Sequence, residues 1–437
     1  MTTESGKTLQ NKILISRLLT RSGDQAWDFA VPITLITLFP SQISLVALIY
    51  LLSKLGSFIF QPWLSSYIDH WMRLRTAGLG AGLQLLGIGL VSMSVYQMTA
   101  QAVVHESFWM QSQLWPWFIS IILGSVVSSL GAGLMDVAVG NDWIPAAVPA
   151  QQLTHINTKL QRLDLLTEVL SPVIAGLILA TSASSGRLSG FAFIALWNAI
   201  SFVPEILLLR SVFLSSPQLQ TMSKTAEGQP RGGLFRQTAE GWSEFKSQAA
   251  ALPVIAYTCL WLSALSPHGV LLTSFLKTGW SFTESSLGLF RGLGAVFGLL
   301  ATLLFTRLRK LLGLVGGSRF FIVFQALILL VSLPFFFHET AGGWVFLSLV
   351  LVSRIGLYGF SLGEMEIRQR TIPEGVRGKV NGVAGALTSF ATLILFGLGS
   401  LLGTPKDFPV LVLISAGAVG IGALVFYRWT LRTPSIE

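Results

Sequence analysis

Long apolar runs recur along the whole chain and are separated by short polar stretches. Each run reaches the ~20 residues that an α-helix needs to cross the hydrocarbon core of a bilayer, and the alternation typical of a membrane β-barrel strand is absent. The pattern predicts twelve membrane-spanning helices, near residues 10–38, 42–69, 74–101, 113–140, 150–182, 187–213, 251–276, 282–308, 316–338, 342–371, 375–403 and 407–432. We therefore expect an all-α membrane protein.

The longest polar stretch lies between the sixth and seventh runs. Its first part, "SSPQLQTMSKTAEGQPRGG", has the composition of a flexible linker, and the following "LFRQTAEGWSEFKSQ" can form a short amphipathic helix at the membrane surface. The predicted organisation is a first lobe at 1–213, a linker at 214–250 and a second lobe at 251–437. Most basic residues fall beside one set of loops, so both termini and the linker are expected on the cytoplasmic side of the cell inner membrane.

Six plus six spans with a long central loop resemble the layout of the major facilitator superfamily, in which two six-helix bundles rock around a site at the membrane midplane. The loop "YIDHWMRLR", between the second and third spans, is similar to that superfamily's loop motif. Asp69, Arg73 and Arg75 stand at its charged positions, whereas Ser65 replaces the usual leading glycine. We expect this fold for the whole chain.

Composition narrows the function. Hydrophobic residues make up 52% of the 437 residues and charged residues 11%, with a mean hydropathy of +0.67, which excludes a soluble domain of ordinary composition. The single cysteine, Cys259, excludes an internal disulfide and a multi-cysteine metal site. The formal charge of +9 marks cytoplasmic loops in a membrane protein, so nucleic-acid binding is not expected.

Carboxylates inside the first span point to function. An ionisable side chain in the membrane costs several kcal/mol unless it pairs, binds a ligand or faces water. Thr20, Asp24 and Asp28 are spaced by four residues, which stacks them along one face of a helix, and that face should point into the bundle. Asp28 lies nearer the outer half and can simply line a water-filled cavity.

Polar residues of two other spans complete a candidate ligand set. Asn198, Ser201 and Glu205 share one face of the sixth span, and Gln84 is the strongly polar side chain in the middle of the apolar third span. Carboxylate, amide and hydroxyl oxygens suit a hard or borderline divalent cation, and Asp24 with Glu205 would balance its charge. The alternative is an interhelical hydrogen-bond cluster that only holds the bundle together.

Two further groups of polar residues each allow more than one role. His268 follows Pro267 inside the seventh span, where it is either a hydrogen-bonded core residue or part of a second metal or proton site. Closure on the cytoplasmic side needs charge pairs between the lobes. The predicted gate consists of Asp69, Asp142 and Asp164 in the first lobe and Arg368, Arg370 and Arg377 in the second. Asp164 can instead pair with a basic residue of a nearby loop.

Several motifs together resemble one family. "SGDQAWDF", "NDWIPAAV", "LQRLDLLTEVLSPVIAG", "WNAISFVPE", "SRIGLYGFSL" and "RGKVNGV" are similar, in this order, to stretches of ferroportins, the iron exporters of the major facilitator type. The resemblance implies a divalent-metal site in the first lobe, lined by Asp24, Asn198 and Glu205. It also implies Gln84 as a further ligand for Ca²⁺, and it implies an immediate lining by Thr20, Ser201 and Phe202.

The chain departs from animal ferroportins in its second lobe. Those proteins use a cysteine after an aspartate on the seventh helix, and a histidine on the eleventh, for a second metal site. This chain has Pro267, His268 and Gly269 at the first place and no histidine at the second. The same cysteine anchors the peptide hormone that blocks animal ferroportins, so no hormone partner is expected.

The expected function is alternating-access export of Fe²⁺, with Co²⁺, Mn²⁺, Ni²⁺ or Zn²⁺ as further substrates. The chain contains no P-loop, so we expect coupling to a gradient, and proton antiport is the natural hypothesis because metal binding displaces protons. We expect a monomer among membrane lipids, with no cofactor. The alternatives are an efflux carrier for organic molecules and a membrane enzyme, for which no nucleophile and base constellation is visible.

Overall fold

The computed structural model describes residues 3–39, 43–101, 108–182, 188–220, 233–266, 269–282, 284–337, 341–402 and 406–432. All regular structure in these ranges is helical. The helices of nine or more residues are α1 (Thr3–Leu38), α2 (Ile43–Ser65), α3 (Arg73–Gln101), α4 (Trp115–Met135), α5 (Leu153–Ser182), α6 (Ser189–Ser215), α7 (Leu234–Ser247), α8 (Ala251–Trp261), α9 (Val270–Thr278), α10 (Glu284–Phe337), α11 (Ala341–Thr371), α12 (Arg377–Leu401) and α13 (Phe408–Arg432).

These helices account for the twelve predicted spans. Nine helical segments in the described part of the chain are long and apolar enough to cross a membrane. Helix α1 is not one of the nine because it carries five charged side chains between Lys12 and Asp28. The predicted seventh span is divided into α8 and α9, with a break between them. The eighth and ninth spans form the single element α10.

Helix α10 turns sharply at one glycine. Gly313 has a φ of 73°, a left-handed conformation that glycine adopts at low cost, and it lies between the two predicted spans. A Cβ at this position would meet no atom within 4 Å, so the backbone conformation alone accounts for the glycine.

Helix α4 continues past Met135 as a π-helix over Asp136–Trp143. A π-helix is rare and often lies at a functional site. The segment carries Asp136 and Asp142, whose partners are described below. The linker helix α7 forms where the sequence predicts an amphipathic helix; it buries Gln237 and Phe245 and exposes Phe235.

The chain divides into two compact units. The first comprises Met1–Pro149, Leu166–Trp242 and Glu374–Ala386, and the second comprises Ala150–Leu165, Ser243–Pro373 and Leu387–Glu437. The predicted lobe boundaries stay a prediction.

Small residues let helices pack closely in each unit. In the first, a Cβ on Gly87 of α3 would lie 2.5 Å from the carbonyl oxygen of Gly124 on α4. In the second, a Cβ on Gly356 of α11 would lie 2.5 Å from the Cβ of Gln325 on α10. Close backbone contact through small residues is the usual way in which membrane helices associate.

Candidate metal centre

Helices α1 and α6 meet at a glycine. A Cβ on Gly23 would lie 2.7 Å from Asn198 Oδ1 and 3.1 Å from Ser201 Oγ, so only glycine fits without a shift of the neighbouring atoms. The residue after this glycine is Asp24. The close approach of the two backbones therefore brings the Asp24 turn of α1 against the polar face of α6.

The polar face of α6 holds oxygens that lack partners. Asn198 is 1% exposed and Glu205 is 5% exposed. Asn198 Oδ1 and Glu205 Oε2 have no hydrogen-bond partner among the described residues. The Ser201 hydroxyl donates to the backbone carbonyl oxygen of Asn198 at 2.7 Å and therefore does not pair with Asn198 Oδ1. Buried polar atoms are almost always paired, so two orphaned oxygens on one helix face indicate a ligand.

Thr20 and Asp24 face the same site from α1. The Thr20 side chain is buried and lies close to the Glu205 carboxylate. Its hydroxyl also donates to the backbone oxygen of Ser16 at 3.0 Å. Asp24 is half-buried, and its carboxylate is near enough to Glu205 for their charges to interact. The structure thus brings together the predicted ligands of α1 and α6.

Gln84 and Phe202 complete the predicted set. Gln84 is 2% exposed on α3, and its Cγ would lie 2.9 Å from a Cβ on Gly131 of α4. Its Nε2 atom has no hydrogen-bond partner in the described ranges. Helix α3 also packs against α6, which carries Asn198, Ser201 and Glu205. Phe202 is buried in the apolar cluster that includes Trp27 and Phe191, so it supplies an apolar wall.

The site contains few charged side chains. Within the described ranges, no three His, Cys, Asp or Glu side chains come together as a metal cluster. The α1–α6 group contains two carboxylates, and its remaining oxygens are neutral. Asp28 is exposed on α1 and interacts electrostatically with Lys54 of α2 and with Asp24. His268 lies outside the described residues.

Asp69 of the predicted gate binds the backbone at the start of α12 and also interacts electrostatically with Arg377. Its carboxylate accepts the N–H groups of Gly378 at 2.6 Å and Lys379 at 2.8 Å, at the first turn of α12. The positive end of a helix dipole and the unpaired N–H groups of its first turn make this a favourable site for a carboxylate.

Asp142 forms a buried ion pair inside the first unit. It accepts from Arg73 Nε at 2.8 Å and from Arg73 Nη2 at 3.1 Å, and each side chain is only 1% exposed. Arg377 Nη1 lies 3.9 Å from Asp142 Oδ1. Glu374 also accepts a hydrogen bond from Arg73. The structure therefore brings Asp142 and Arg377 of the predicted gate together. It adds Arg73 and Glu374 to the same group of charges, which was not predicted from the sequence.

Two arginines of the predicted gate pair with glutamates of their own helix. Arg368 pairs with Glu364 on its own helix, and Arg370 pairs with Glu366 at 2.9 Å. Asp164 is half-buried on α5.

The second unit contains a network of buried side-chain hydrogen bonds that was not predicted from the sequence. Glu366 is fully buried; it accepts from Thr154 at 2.7 Å and from Arg309 at 2.8 Å. Asn157 donates to Gln369 at 2.7 Å. The four-residue spacing of Glu366 and Arg370 could have indicated their pairing, but no sequence signal identifies the partners on other helices.

Comparison with known proteins gives a consistent result. The family model "Ferroportin1 (FPN1)" matches residues 7–419. The chain is 42% identical over 435 residues to "Ferreportin" of Bdellovibrio bacteriovorus, covering 99% of this chain and 97% of that protein.

Solved structures give the same picture. A bacterial homologue of the iron transporter ferroportin, crystallised in an outward-facing state with soaked iron, is 41% identical, with a TM-score of 0.85 and coverage of 96% and 99%. An inward-facing structure of such a homologue is 40% identical, with a TM-score of 0.67 and coverage of 97% and 98%. The proton:xylose symporter XylE of the major facilitator superfamily is 13% identical, with a TM-score of 0.67 and coverage of 98% and 96%, which shows the fold alone.

Proposed function

Because the chain belongs to the ferroportin family, we propose that it exports Fe²⁺ and that the α1–α6 oxygen group is its substrate site. Members of this family are transporters of the major facilitator fold and not enzymes. The observation that carries the proposal is the pair of orphaned, buried oxygens, Asn198 Oδ1 and Glu205 Oε2, beside the Asp24 turn. A homologue at 41% identity was crystallised with soaked iron, which supports iron as the substrate.

The ligand chemistry supports a divalent cation. Asp24 is the central ligand, because it is the half-buried carboxylate of the group and a cation can reach it from water. Asp24 and Glu205 together neutralise a charge of 2+, while Asn198 and Ser201 supply neutral oxygens. Oxygen ligands discriminate among divalent metals mainly through geometry and supply, so Co²⁺, Mn²⁺, Ni²⁺ and Zn²⁺ are further substrates. Gln84 adds an amide for Ca²⁺, which prefers more oxygen ligands.

Transport proceeds by alternating access, for which homologues have been solved in outward- and inward-facing states. Binding of a metal to a carboxylate or an imidazole displaces protons, so proton antiport couples export to the proton gradient through Asp24 or His268. The protein lies in the cell inner membrane as a monomer among lipids, with both termini cytoplasmic. No peptide hormone or nucleic acid is a partner.

The cytoplasmic gate of this proposal uses the contacts of the segment 374–379. The Arg73–Asp142 pair, with Arg377 and Glu374 beside it, forms one part. The Asp69 carboxylate on the first turn of α12 forms the other. Both connect the loop between α2 and α3 to the start of α12, so their separation would open a path on that side.

The decisive experiment is isothermal titration of the purified protein with Fe²⁺ under anaerobic, reducing conditions, with Co²⁺ and Ca²⁺ in parallel. We expect the wild type to bind and Asp24→Asn, which keeps the side-chain volume, to lose binding. Asp407→Asn, at the start of α13, is the control and should bind like the wild type. Binding that survives Asp24→Asn would place the site in the second lobe, and no binding by the wild type would favour an efflux carrier for organic molecules.

A further inference from the structure

Three charged side chains form a compact cluster on the N-terminal side of Asp24. Arg17 Nη1 donates to Asp136 Oδ1 at 2.6 Å, and Arg21 Nη2 donates to the two Asp136 oxygens at 2.9 and 3.0 Å. The arginine side chains are 22% exposed and that of Asp136 is 43% exposed. The mechanism proposed above uses none of these three residues, although the two arginines share a helix face with its central ligand.

The spacing on α1 determines which arginine can reach Asp24. Arg21 lies three residues before Asp24 and Arg17 lies seven before it, so all three share one face of the helix. At a rise of 1.5 Å per residue, the two arginine backbones are about 4.5 Å and about 10.5 Å from Asp24 along the axis. Of the charged side chains that interact with Asp24, Arg21 does so most strongly. An arginine one turn away is a direct competitor for the carboxylate.

Asp136 occupies a special position on its own helix. It is the first residue of the π-helix Asp136–Trp143, where the wider turn changes the direction of the side chains relative to α4. From there its carboxylate binds both arginines of α1. The charges of the two pairs of side chains are equal and opposite: Asp24 and Glu205 carry two negative charges, and Arg17 and Arg21 carry two positive charges. Without Asp136, the arginines would match the two carboxylates in the place of a divalent cation.

We propose that Asp136 is a positioning residue that holds Arg21 away from the Asp24 carboxylate and so keeps that carboxylate open to a divalent cation. The inference rests on the proposed function, because it assigns Asp24 as the metal ligand. Arg21 acts as an internal competitor for the site, and Asp136 determines how strongly it competes. The affinity for metal therefore depends on a carboxylate that does not touch the metal.

The test is isothermal titration of the full-length purified protein with Fe²⁺ under anaerobic, reducing conditions and with Co²⁺. Asp136→Asn should lower the affinity at least tenfold, and Asp136→Glu should keep it within threefold of the wild type. Adding Arg21→Gln to Asp136→Asn should restore binding to within threefold, whereas adding Arg17→Gln should not. Lys12→Gln, which removes a charge from α1 that is paired with Ser211, is the matched control and should leave binding unchanged.

The outcomes separate this inference from the function on which it rests. If the wild type binds through Asp24 and Asp136→Asn binds equally well, the inference is wrong and the proposed function stands. Equal rescue by both arginine substitutions would indicate a general field effect and would overturn the positioning role. If Asp136→Asn does not fold, Arg21→Gln alone decides: unchanged or higher affinity supports the inference, and a tenfold loss overturns it. No binding by the wild type overturns both.

Discussion

The Cα of Gly23 is so close to Asn198 that a methyl group in place of its hydrogen would lie 2.7 Å from the Asn198 side-chain oxygen and 3.0 Å from its Cα. The second atom belongs to the backbone of α6, which cannot rotate away. The contact therefore fixes the distance between the two helices that carry Asp24 and Asn198. Gly23, the glycine of "SGD", is therefore needed for the close approach of the two helices and not for a turn.

This contact predicts that Gly23→Ala pushes α1 and α6 apart. We expect a loss of stability of about 1–3 kcal/mol, which is usual for overpacking a tight contact, and a loss of Fe²⁺ affinity of at least tenfold. Gly89→Ala in α3 is the control, because its Cβ would meet no atom within 4 Å. Thermal unfolding and titration of both variants check this prediction, and wild-type affinity in Gly23→Ala would contradict it.

The second prediction concerns the buried pair of Arg73 and Asp142. Removing one charge leaves the other buried and uncompensated, which typically costs about 3–5 kcal/mol, so Arg73→Gln should strongly destabilise the closed gate. Arg377→Gln should have a smaller effect, because Arg377 lies 3.9 Å from Asp142.

The gate can be monitored with a single thiol. Gly140→Cys in a Cys259→Ser background places a thiol two residues from Asp142, at a position where a Cβ meets no atom within 4 Å. Its labelling by a hydrophilic reagent should become faster with Arg73→Gln. Unchanged labelling, together with unchanged transport after charge reversal at Asp142, would remove these residues from the gate.

The membrane spans could be predicted from the sequence, and so could the face that Thr20 and Asp24 share, because both depend on local spacing. Apolar length determines whether a helix can cross a bilayer, and four-residue steps place Thr20 and Asp24 on one face. The π-helix at Asp136 has no comparable local signature. The binding of the Asp69 carboxylate to backbone N–H groups also has no local signature. A helix N-terminus attracts a carboxylate, just as an arginine side chain does.

The contacts that sequence reasoning missed join distant parts of the chain. Thr154 and Glu366 are 212 residues apart, and Arg309 and Glu366 are 57 apart. Such pairs depend on which helices become neighbours, and no single sequence records that choice. The same holds for Gly23, whose partner on α6 becomes evident only when the two helices are packed.

A third prediction tests one of these distant contacts. Asn157 and Gln369 exchange hydrogen bonds at 2.7 and 3.3 Å, and both are buried. A double-mutant cycle with Asn157→Ala and Gln369→Ala should give a coupling energy of about 1 kcal/mol in thermal unfolding. The same cycle with Asn157→Ala and Gln248→Ala, on the linker side of the chain, should give additive effects. Additivity in the first cycle would show that the contact does not contribute.

The fourth prediction concerns pH and the linker helix. The hydrogen bond from Arg236 lowers the pKa of Glu240 from its ordinary 4.5, with a further contribution from Lys379. A carboxylate with a lowered pKa stabilises the folded state above its unfolded pKa and loses this effect as the pH falls through its folded pKa. The difference in melting temperature between the wild type and Glu240→Gln should thus be constant from about pH 6 upwards, begin to shrink at about pH 4.5, and vanish only once the pH lies below the lowered folded pKa. A difference that changes near pH 7 would contradict this assignment.

The last prediction compares two buried glutamines of the first unit. Gln84 Nε2 has no hydrogen-bond partner in the part of the chain that the structure describes, whereas Gln61 Nε2 donates to Ser65 at 3.0 Å. Replacing an amide whose NH₂ group is buried without a partner by an apolar side chain of similar shape is neutral or stabilising, and replacing an amide whose NH₂ group is paired costs about 1 kcal/mol. Gln84→Met should therefore keep or raise the melting temperature of the metal-free protein, and Gln61→Met should lower it.

Metal binding should respond in the opposite sense. Gln84→Met should lower Ca²⁺ affinity at least tenfold and leave Fe²⁺ affinity within threefold, because Ca²⁺ needs the larger number of oxygen ligands. Gln61→Met should change neither affinity. If Gln84→Met destabilises the protein as much as Gln61→Met and binds Ca²⁺ normally, the Gln84 amide is a structural group. A gain in stability together with a loss of Ca²⁺ binding would instead mean that Gln84 serves Ca²⁺ binding at a cost in stability.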